Sequence, residues 1–498
     1  LLNDSFGLSN WLTQILSEFG AMPESLNYFS RIKSLFPAQS SYLPASDGQM
    51  TGKNAVHNQL SSVRPPPKEK LKMKKILVYV AVAVLMMVVW AGFVLTGTVN
   101  GWFHAPMAKE TTSASFRAAT EAEIKKQFVG NFALAVMKDG VVEYEQFYSA
   151  GKPVDRNTVF QVSSLSKWIS AVGIMKLVED GKLDLDVPVS RYLTRWQLPP
   201  SEFNNEEVTV RRLLSHTAGL TDGLGYSGFK GGVALPSLEQ SLTQAPDADE
   251  GSSGAVQVGI QPGSTFKYSG GGYTLLQLLV EEVSHQSFAD YMTQSIFQPL
   301  GMMHSTYMWS DSSEHALAEF YNQDGTTSEH YRYTSLAATS FYTSLADLEL
   351  FFQAHLLGKN QEPVGRNVLR PETLKKMREP HAQSMGVDMW GLGTVLFLPI
   401  DNNDFMIGHD GKSTPPINTA IRLNPQTGDG IIVLETGHPR IATKLASEWV
   451  FWHTGKVDLF LFQMLTGGMV NTIGIGWMVI VVLTIVFGLV NRRRMKNR

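Results

Sequence analysis

Two stretches of this chain are too apolar to sit on the surface of a water-soluble fold. Residues 76–95, ILVYVAVAVLMMVVWAGFVL, carry no charge, and neither do residues 473–490, IGIGWMVIVVLTIVFGLV. Each is long enough to cross a hydrocarbon core of roughly 30 Å as a helix. A buried core helix is the alternative, and the flanks argue against it. Lys68, Lys70, Lys72, Lys74 and Lys75 precede the first run, and Arg492, Arg493, Arg494, Lys496 and Arg498 follow the second. Near the inner ends stand only Lys109 and Lys456. Basic residues gather on the cytoplasmic side of a span, so both termini are expected in the cytoplasm and the middle of the chain outside it. The first run exceeds the roughly 7–15 apolar residues of a secretory signal, and no A-x-A site follows it. It reads as an uncleaved anchor.

The rest of the composition narrows the field. At 498 residues, two or three units are expected, and 43% hydrophobic content supports a globular core without staples. A formal net charge of −3 argues against nucleic acid as a partner. No cysteine is present, which excludes disulfides, thiolate chemistry and cysteine-held metals. The 12 histidines are scattered, so neither a metal nor a cofactor is expected.

Residues 1–72 are rich in Ser, Asn and Gln, end in RPPPKEK, and show only a short amphipathic stretch near residues 11–19. They read as mostly disordered, or as sequence upstream of a start at Met73. The remaining divisions are an anchor at 73–98, a linker at 99–114, a folded domain at 115–456, and a second span with a basic tail at 457–498. Within the domain, NFALAVMKDGVVEYEQFYSAG predicts two strands joined at Asp139-Gly140, a strong hairpin signal. VSSLSKWISAVGIMKLVEDGKL predicts a helix with Ile169, Val172, Met175 and Leu177 mainly on one face, ended by Gly181. Residues 183–380 read as helix-rich with long loops. Strand patterns return at 391–398, 404–411, 417–425 and 428–437, before a last helix at 438–453. Strands at both ends with helices between imply one antiparallel sheet shared by the first and last segments, an α+β architecture with an inserted helical region.

The chemistry centres on QVSSLSKWIS, residues 161–170. A serine hydroxyl is a weak nucleophile until a base takes its proton. On a helix, residues three or four apart share a face, so Ser163 and Ser164 both lie within reach of Lys167, whereas Ser166 does not. Unpaired N–H groups in the first helical turn can steady an oxyanion. Lysine is an expensive base: lowering its pKa from about 10.4 to near 7 takes about 4 kcal/mol. Taken alone, a Ser-x-x-Lys is more often a capping serine beside a solvated lysine.

Its surroundings change that. FQVSSLSKWISA resembles the active-site helix of the serine β-lactamase and penicillin-binding protein superfamily, particularly the class C branch, with Phe160, Ser164, Ser166 and Lys167 in its register. The resemblance selects Ser164 over Ser163. LLSHTAGL, residues 213–220, is similar to that branch's L-L-x-H-T-[SA]-G-L, in which His216 is a packing and turn residue. PGSTFKYSGGGYTLLQLLVEEVS, residues 262–284, is similar to the segment carrying the Tyr-x-Asn motif, and PLGMMHSTY, residues 299–307, to a further family stretch. The resemblance makes Tyr268 the phenol that shares proton transfer with Lys167. Gly270 stands where the family has an asparagine that binds the substrate's amide carbonyl, which weakens the expectation of amide and β-lactam substrates. IGHDGKS, residues 407–413, occupies the place of the family's Lys-Thr-Gly strand. There the resemblance implies a donor and partial positive charge from His409, close backbone approach at Gly411, and a second oxyanion N–H from Lys412 beside that of Ser164. Asp410 is expected to be solvated and turned away. The GKS is not a P-loop, since Met406 stands where that motif needs glycine.

The resemblance therefore implies a β-lactamase/transpeptidase-like fold and a serine hydrolase anchored in a bacterial inner membrane. Its domain would face the periplasm or exterior and act through an acyl-enzyme on an ester or a D-amino-acid peptide or amide. A true β-lactamase and a non-hydrolytic sensor or scaffold are the alternatives. No G-x-S-x-G or H-E-x-x-H motif offers a rival chemistry. The expected partners are a small-molecule or peptide acyl substrate and the bilayer; oligomeric state is left open.

Overall fold

The computed structural model describes residues 67–497 except 224, 311 and 385. The amphipathic stretch near residues 11–19, and residues 1–66 of the N-terminal segment, lie outside the described residues. The chain divides into two compact units, Leu1–Ala81 and Val82–Arg498. The described part of the first is helical, the start of α1 (Pro67–Val99).

Within the second unit, α2 (Ser113–Gln127) leads into β1 (Asn131–Lys138) and β2 (Val141–Ser149). The hairpin turns at Asp139 and Gly140, at φ 51° and 75°, the pair of positive values that a tight primed turn requires. After the inserted region come β3 (Ala382–Ser384), β4 (Val387–Trp390), β5 (Val395–Ile400), β6 (Asp404–Ser413), β7 (Ile417–Leu423) and β8 (Gly430–Thr436). These form one eight-stranded sheet in the order β2-β1-β8-β7-β6-β5-β4-β3. β1 pairs antiparallel with β8, from Asn131 opposite Thr436 to Met137 opposite Gly430. The expected closure of the first segment on the last is thus observed. β3 and β4 extend the sheet beyond the strands legible in the sequence, because they are short and half-exposed and carry no clear alternation.

The sheet is buried on both faces. Phe132, Leu134 and Val433 pack with Phe116 and Ile124 of α2 and with Leu445 and Trp449 of α5 (Ile441–Thr454). Ala133, Ala135, Ile432 and Leu434 face the larger core of the inserted region. This double cover explains why β1, β7 and β8 read as apolar runs rather than as alternating strands.

The helix after QVSSLS differs from its one-faced expectation. A tight turn spans Ser163–Leu165, and the α-helix proper is Ser166–Glu179, α3. Every residue of α3 from Ser166 to Met175 is buried, as befits a central helix enclosed on all sides. Gly181, at φ 71°, follows its end. The inserted region holds short helices, longer loops and α4 (Gly270–Ser284).

The C-terminal helix α6 (Leu459–Lys496) contains a candidate span at Leu459–Met495, and α1 contains one at Lys74–Val99. Only 6% of the most apolar 18-residue stretch of either is buried, so neither is a core helix. Apolar helices of this length left without protein cover fit a bilayer.

Candidate active site

Three serines crowd the entry to α3, and the fold gives each a different task. The approaching strand, Val159–Gln161, is pinned by pairing with Tyr342–Ser344. Ser163 then adopts a left-handed backbone, φ 50°, and its hydroxyl donates to the Lys412 carbonyl at 2.7 Å. The Ser166 hydroxyl donates to the Ser163 carbonyl at 2.5 Å and accepts from Phe341 N–H at 3.0 Å. Both serines are buried and spoken for. Ser164, half-buried between them, receives hydrogen bonds at Oγ from Lys167 Nζ at 3.2 Å and from the Tyr268 hydroxyl at 3.0 Å. Helical spacing had left Ser163 in contention, but the α-helix starts only at Ser166, so that spacing does not apply to it.

Lys167 is 2% exposed. Its ammonium also donates to the Ala338 carbonyl at 2.8 Å, and it lies 4.9 Å from the Tyr268 ring centroid and 5.6 Å from that of Tyr273. A buried cation is tolerable only with such partners. With one of the two deprotonated, the pair can take the proton of this hydroxyl and return it elsewhere.

Tyr268 is held by the segment leading into α4. His216 stacks on it, ring centroids 4.3 Å apart, and Trp390 meets it edge-on at 5.8 Å. His216 has φ 56°, and its Nδ1 accepts from Ser269 N–H at 3.2 Å, so Nε2 carries the ring proton. Burial first, then Lys167 and His409, hold its pKa well below the usual value. The packing and turn role implied for it matches this geometry. Asp222 accepts from Ser269 Oγ at 2.5 Å and from Gly271 N–H at 2.8 Å, bracing the start of α4 next to Tyr268. Burial pushes its carboxyl pKa up.

β6 supplies the opposite wall. A Cβ at Gly411 would collide with the Val162 carbonyl oxygen, so the absence of a side chain lets this strand close on the turn that carries Ser164. The bond from Ser163 Oγ to the Lys412 carbonyl ties the residue before Ser164 to Lys412, so the two residues on whose N–H groups the oxyanion expectation rests, Ser164 and Lys412, are held close. His409 differs from its expectation. Its Nδ1 faces the Asp410 carbonyl at 2.7 Å, an acceptor only, so Nδ1 holds the proton and Nε2 is a lone-pair acceptor. Burial, followed by Lys167, lowers its pKa to about 3. The ring is neutral at physiological pH and supplies no positive charge. Asp410 also differs: rather than being solvated, it is mostly covered and paired with Arg422.

Gly270 is the first residue of α4 and is buried. Sequence reasoning missed Asp222, Trp390, Arg422 and the Ala338 carbonyl, all of which reach the site from distant parts of the chain. The nearest available signal was for Asp222, two residues beyond the LLSHTAGL stretch.

Comparison with known proteins places this geometry in context. The Beta-lactamase family model matches residues 116–449. Protein flp of Staphylococcus aureus (strain N315) is 24% identical over 339 residues, covering 65% of this chain and 63% of that protein. The match thus spans less than two thirds of that relative's length. Penicillin-binding protein 4* of Bacillus subtilis (strain 168) is 33% identical over 181 residues, 36% of this chain and 38% of that protein. Among solved structures, the octameric penicillin-binding protein homologue from Pyrococcus abyssi superposes with a TM-score of 0.57 at 25% identity, covering 69% of this chain and 78% of that one.

Proposed function

The chain belongs to the Beta-lactamase family of serine acyl-enzyme hydrolases and penicillin-binding proteins, and on that premise we propose that it is a membrane-anchored, extracytoplasmic serine hydrolase of the class C type, acting on a carboxylic ester or a D-amino-acid peptide. The observation that carries this reading is the double hydrogen bond to Ser164 Oγ from Lys167 Nζ and Tyr268 OH.

In this reading one member of the Lys167–Tyr268 pair is deprotonated in the reactive form, and Ser164 Oγ attacks the acyl carbon while its proton passes to that member. The N–H groups of Ser164 and Lys412 receive the developing oxyanion. Collapse breaks the bond to the leaving group, which takes the proton from the pair, and leaves an ester on Ser164. Water then attacks that ester, gives its proton to the pair, and releases the carboxylic acid as Ser164 recovers its own. Gly411 keeps the strand close enough to contact the acyl group. The hydrolase domain, 115–456, hangs between anchors at 73–98 and 457–498, and the basic outer flanks of both support placing it outside the cytoplasm.

A fluorophosphonate probe and a labelled penicillin, each applied to the purified protein and to Ser164→Ala, test this. Fluorophosphonate labelling that disappears in the variant is expected. Labelling that survives it would remove Ser164 as nucleophile. Fast turnover of the penicillin would make β-lactams the substrate class, against the lack of an amide-binding side chain at Gly270.

A further inference from the structure

Position 270 carries no side chain, yet the space beside it is filled. A Cβ at Gly270 would lie 2.9 Å from Cε2 of Tyr226, 3.4 Å from Cδ2 and 3.6 Å from Cζ. The edge of that ring stands where any side chain from 270 would begin. Tyr226 is also firmly held. Its hydroxyl shares a 2.7 Å hydrogen bond with Thr274 Oγ1, one turn further along α4. Thr274 Oγ1 lies 2.8 Å from Ser335 Oγ, to which it donates. The backbone of 226 bridges to Ala248, and Ser227 N–H donates to the Asp247 carbonyl at 2.6 Å. The ring packs against the main core. It therefore sits between the start of α4, two residues after Tyr268, and the 335–338 segment, whose Ala338 carbonyl holds Lys167.

We propose that Tyr226 is a specificity-determining residue: its ring replaces an amide-bearing side chain at 270 and makes that wall of the acyl subsite apolar. The substrates it selects are esters whose acyl group is a plain hydrocarbon beside the carbonyl. N-acylated amino-acid esters are selected against, because their amide would meet a ring whose hydroxyl is already engaged, and an amide desolvated without a partner binds poorly. This rests on the hydrolase reading above. It also explains why position 270 must be glycine: side chain and ring compete for one volume.

The test compares two substrates with one leaving group, p-nitrophenyl butyrate and the p-nitrophenyl ester of N-acetyl-D-alanine. The readout is the ratio of their kcat/KM values, butyrate over N-acetyl-D-alanine. Fluorophosphonate labelling of Ser164 in each preparation counts the competent protein. Tyr226→Phe keeps the ring and should keep the ratio within about twofold. Tyr226→Ala should lower it by roughly tenfold or more, and the double variant Tyr226→Ala/Gly270→Asn should lower it further. Gly270→Asn alone should lose activity on both substrates. A Tyr226→Ala ratio equal to that of the native protein, with labelling intact, overturns the Tyr226 assignment and leaves the hydrolase standing. So does a gain on the N-acetyl substrate from Gly270→Asn alone with the butyrate rate unchanged. Absence of labelling in the native protein would instead bring down the hydrolase reading itself.

Discussion

Arg422 and Asp458 form an ion pair from which solvent is wholly excluded: Nε lies 3.0 Å from Oδ2, and neither side chain is exposed. Asp458 Oδ1 also accepts from Leu461 N–H at 2.7 Å, capping the start of α6. The same guanidinium binds Asp410, the neighbour of His409, and lies 3.5 Å from the Phe397 ring centroid. One arginine thus joins the site-lining strand β6 to the start of the C-terminal apolar helix. Removing Asp458 leaves Arg422 paired with Asp410 but takes away a buried acceptor of its Nε–H and the helix cap, a loss of about 1–3 kcal/mol. Asp458→Ala should lower unfolding stability by that order, measured by denaturant titration in detergent, and Asp458→Asn should lower it less because it keeps a capping oxygen.

Lys167 and Tyr268 reach the same oxygen, so their effects should not add. General acid–base groups contribute about 10²–10⁴-fold. Lys167→Ala and Tyr268→Phe should each lower kcat within that range. The double variant should fall well short of the product of the two losses, as a double-mutant cycle on kcat would show. Full additivity would place the two groups in separate steps.

The contribution of His409 and His216 to stability should fall as pH is lowered from about 6.5. The folded pKa of His409 is depressed to about 3, and that of His216 also lies well below its usual value. In this interval the unfolded chain binds protons that the folded one refuses. The contribution of His409 is therefore complete above the unfolded pKa and is lost as pH falls, by about 1.4 kcal/mol per pH unit, and His216 adds a loss of the same sign. Urea titrations at pH 7 and 4.5 should show the loss, and His409→Gln should flatten it.

Gly411→Ala should damage activity out of proportion to its size. Its Cβ would strike the Val162 carbonyl, a backbone atom that cannot swing aside. Overpacking of this kind costs about 1–3 kcal/mol. Because the displaced segment carries Ser164, kcat/KM should drop by roughly 100-fold or more, while the folded state survives by circular dichroism. A variant with near-native kinetics would show that β6 tolerates displacement from the Ser164 turn.

Some of this was legible before any coordinates because it depends on local order. The Asp139-Gly140 hairpin is a two-residue conformational requirement. The spans at either end are a matter of charge-free length. The shared sheet followed from strand patterns at both ends of the domain, though double-sided burial erased alternation in its centre, and β3 and β4 were too short and too exposed to show a pattern. Ser164, Lys167 and Tyr268 were named from motif resemblance, and the fold brings their polar atoms within hydrogen-bonding distance. The donor role expected of His409 failed because a histidine's charge depends on its burial and on which nitrogen a carbonyl claims. The solvated Asp410 failed because its partner, Arg422, lies on the next strand.

By itself, then, the sequence determined most of the elements, the apolar ends and the candidates for the reactive groups, since these follow from neighbours along the chain. Tertiary structure decided which serine is free to react, that His409 is a neutral acceptor, and that Tyr226 fills the space beside Gly270. Those outcomes depend on desolvation and excluded volume, which arise only when segments far apart in the chain are packed together.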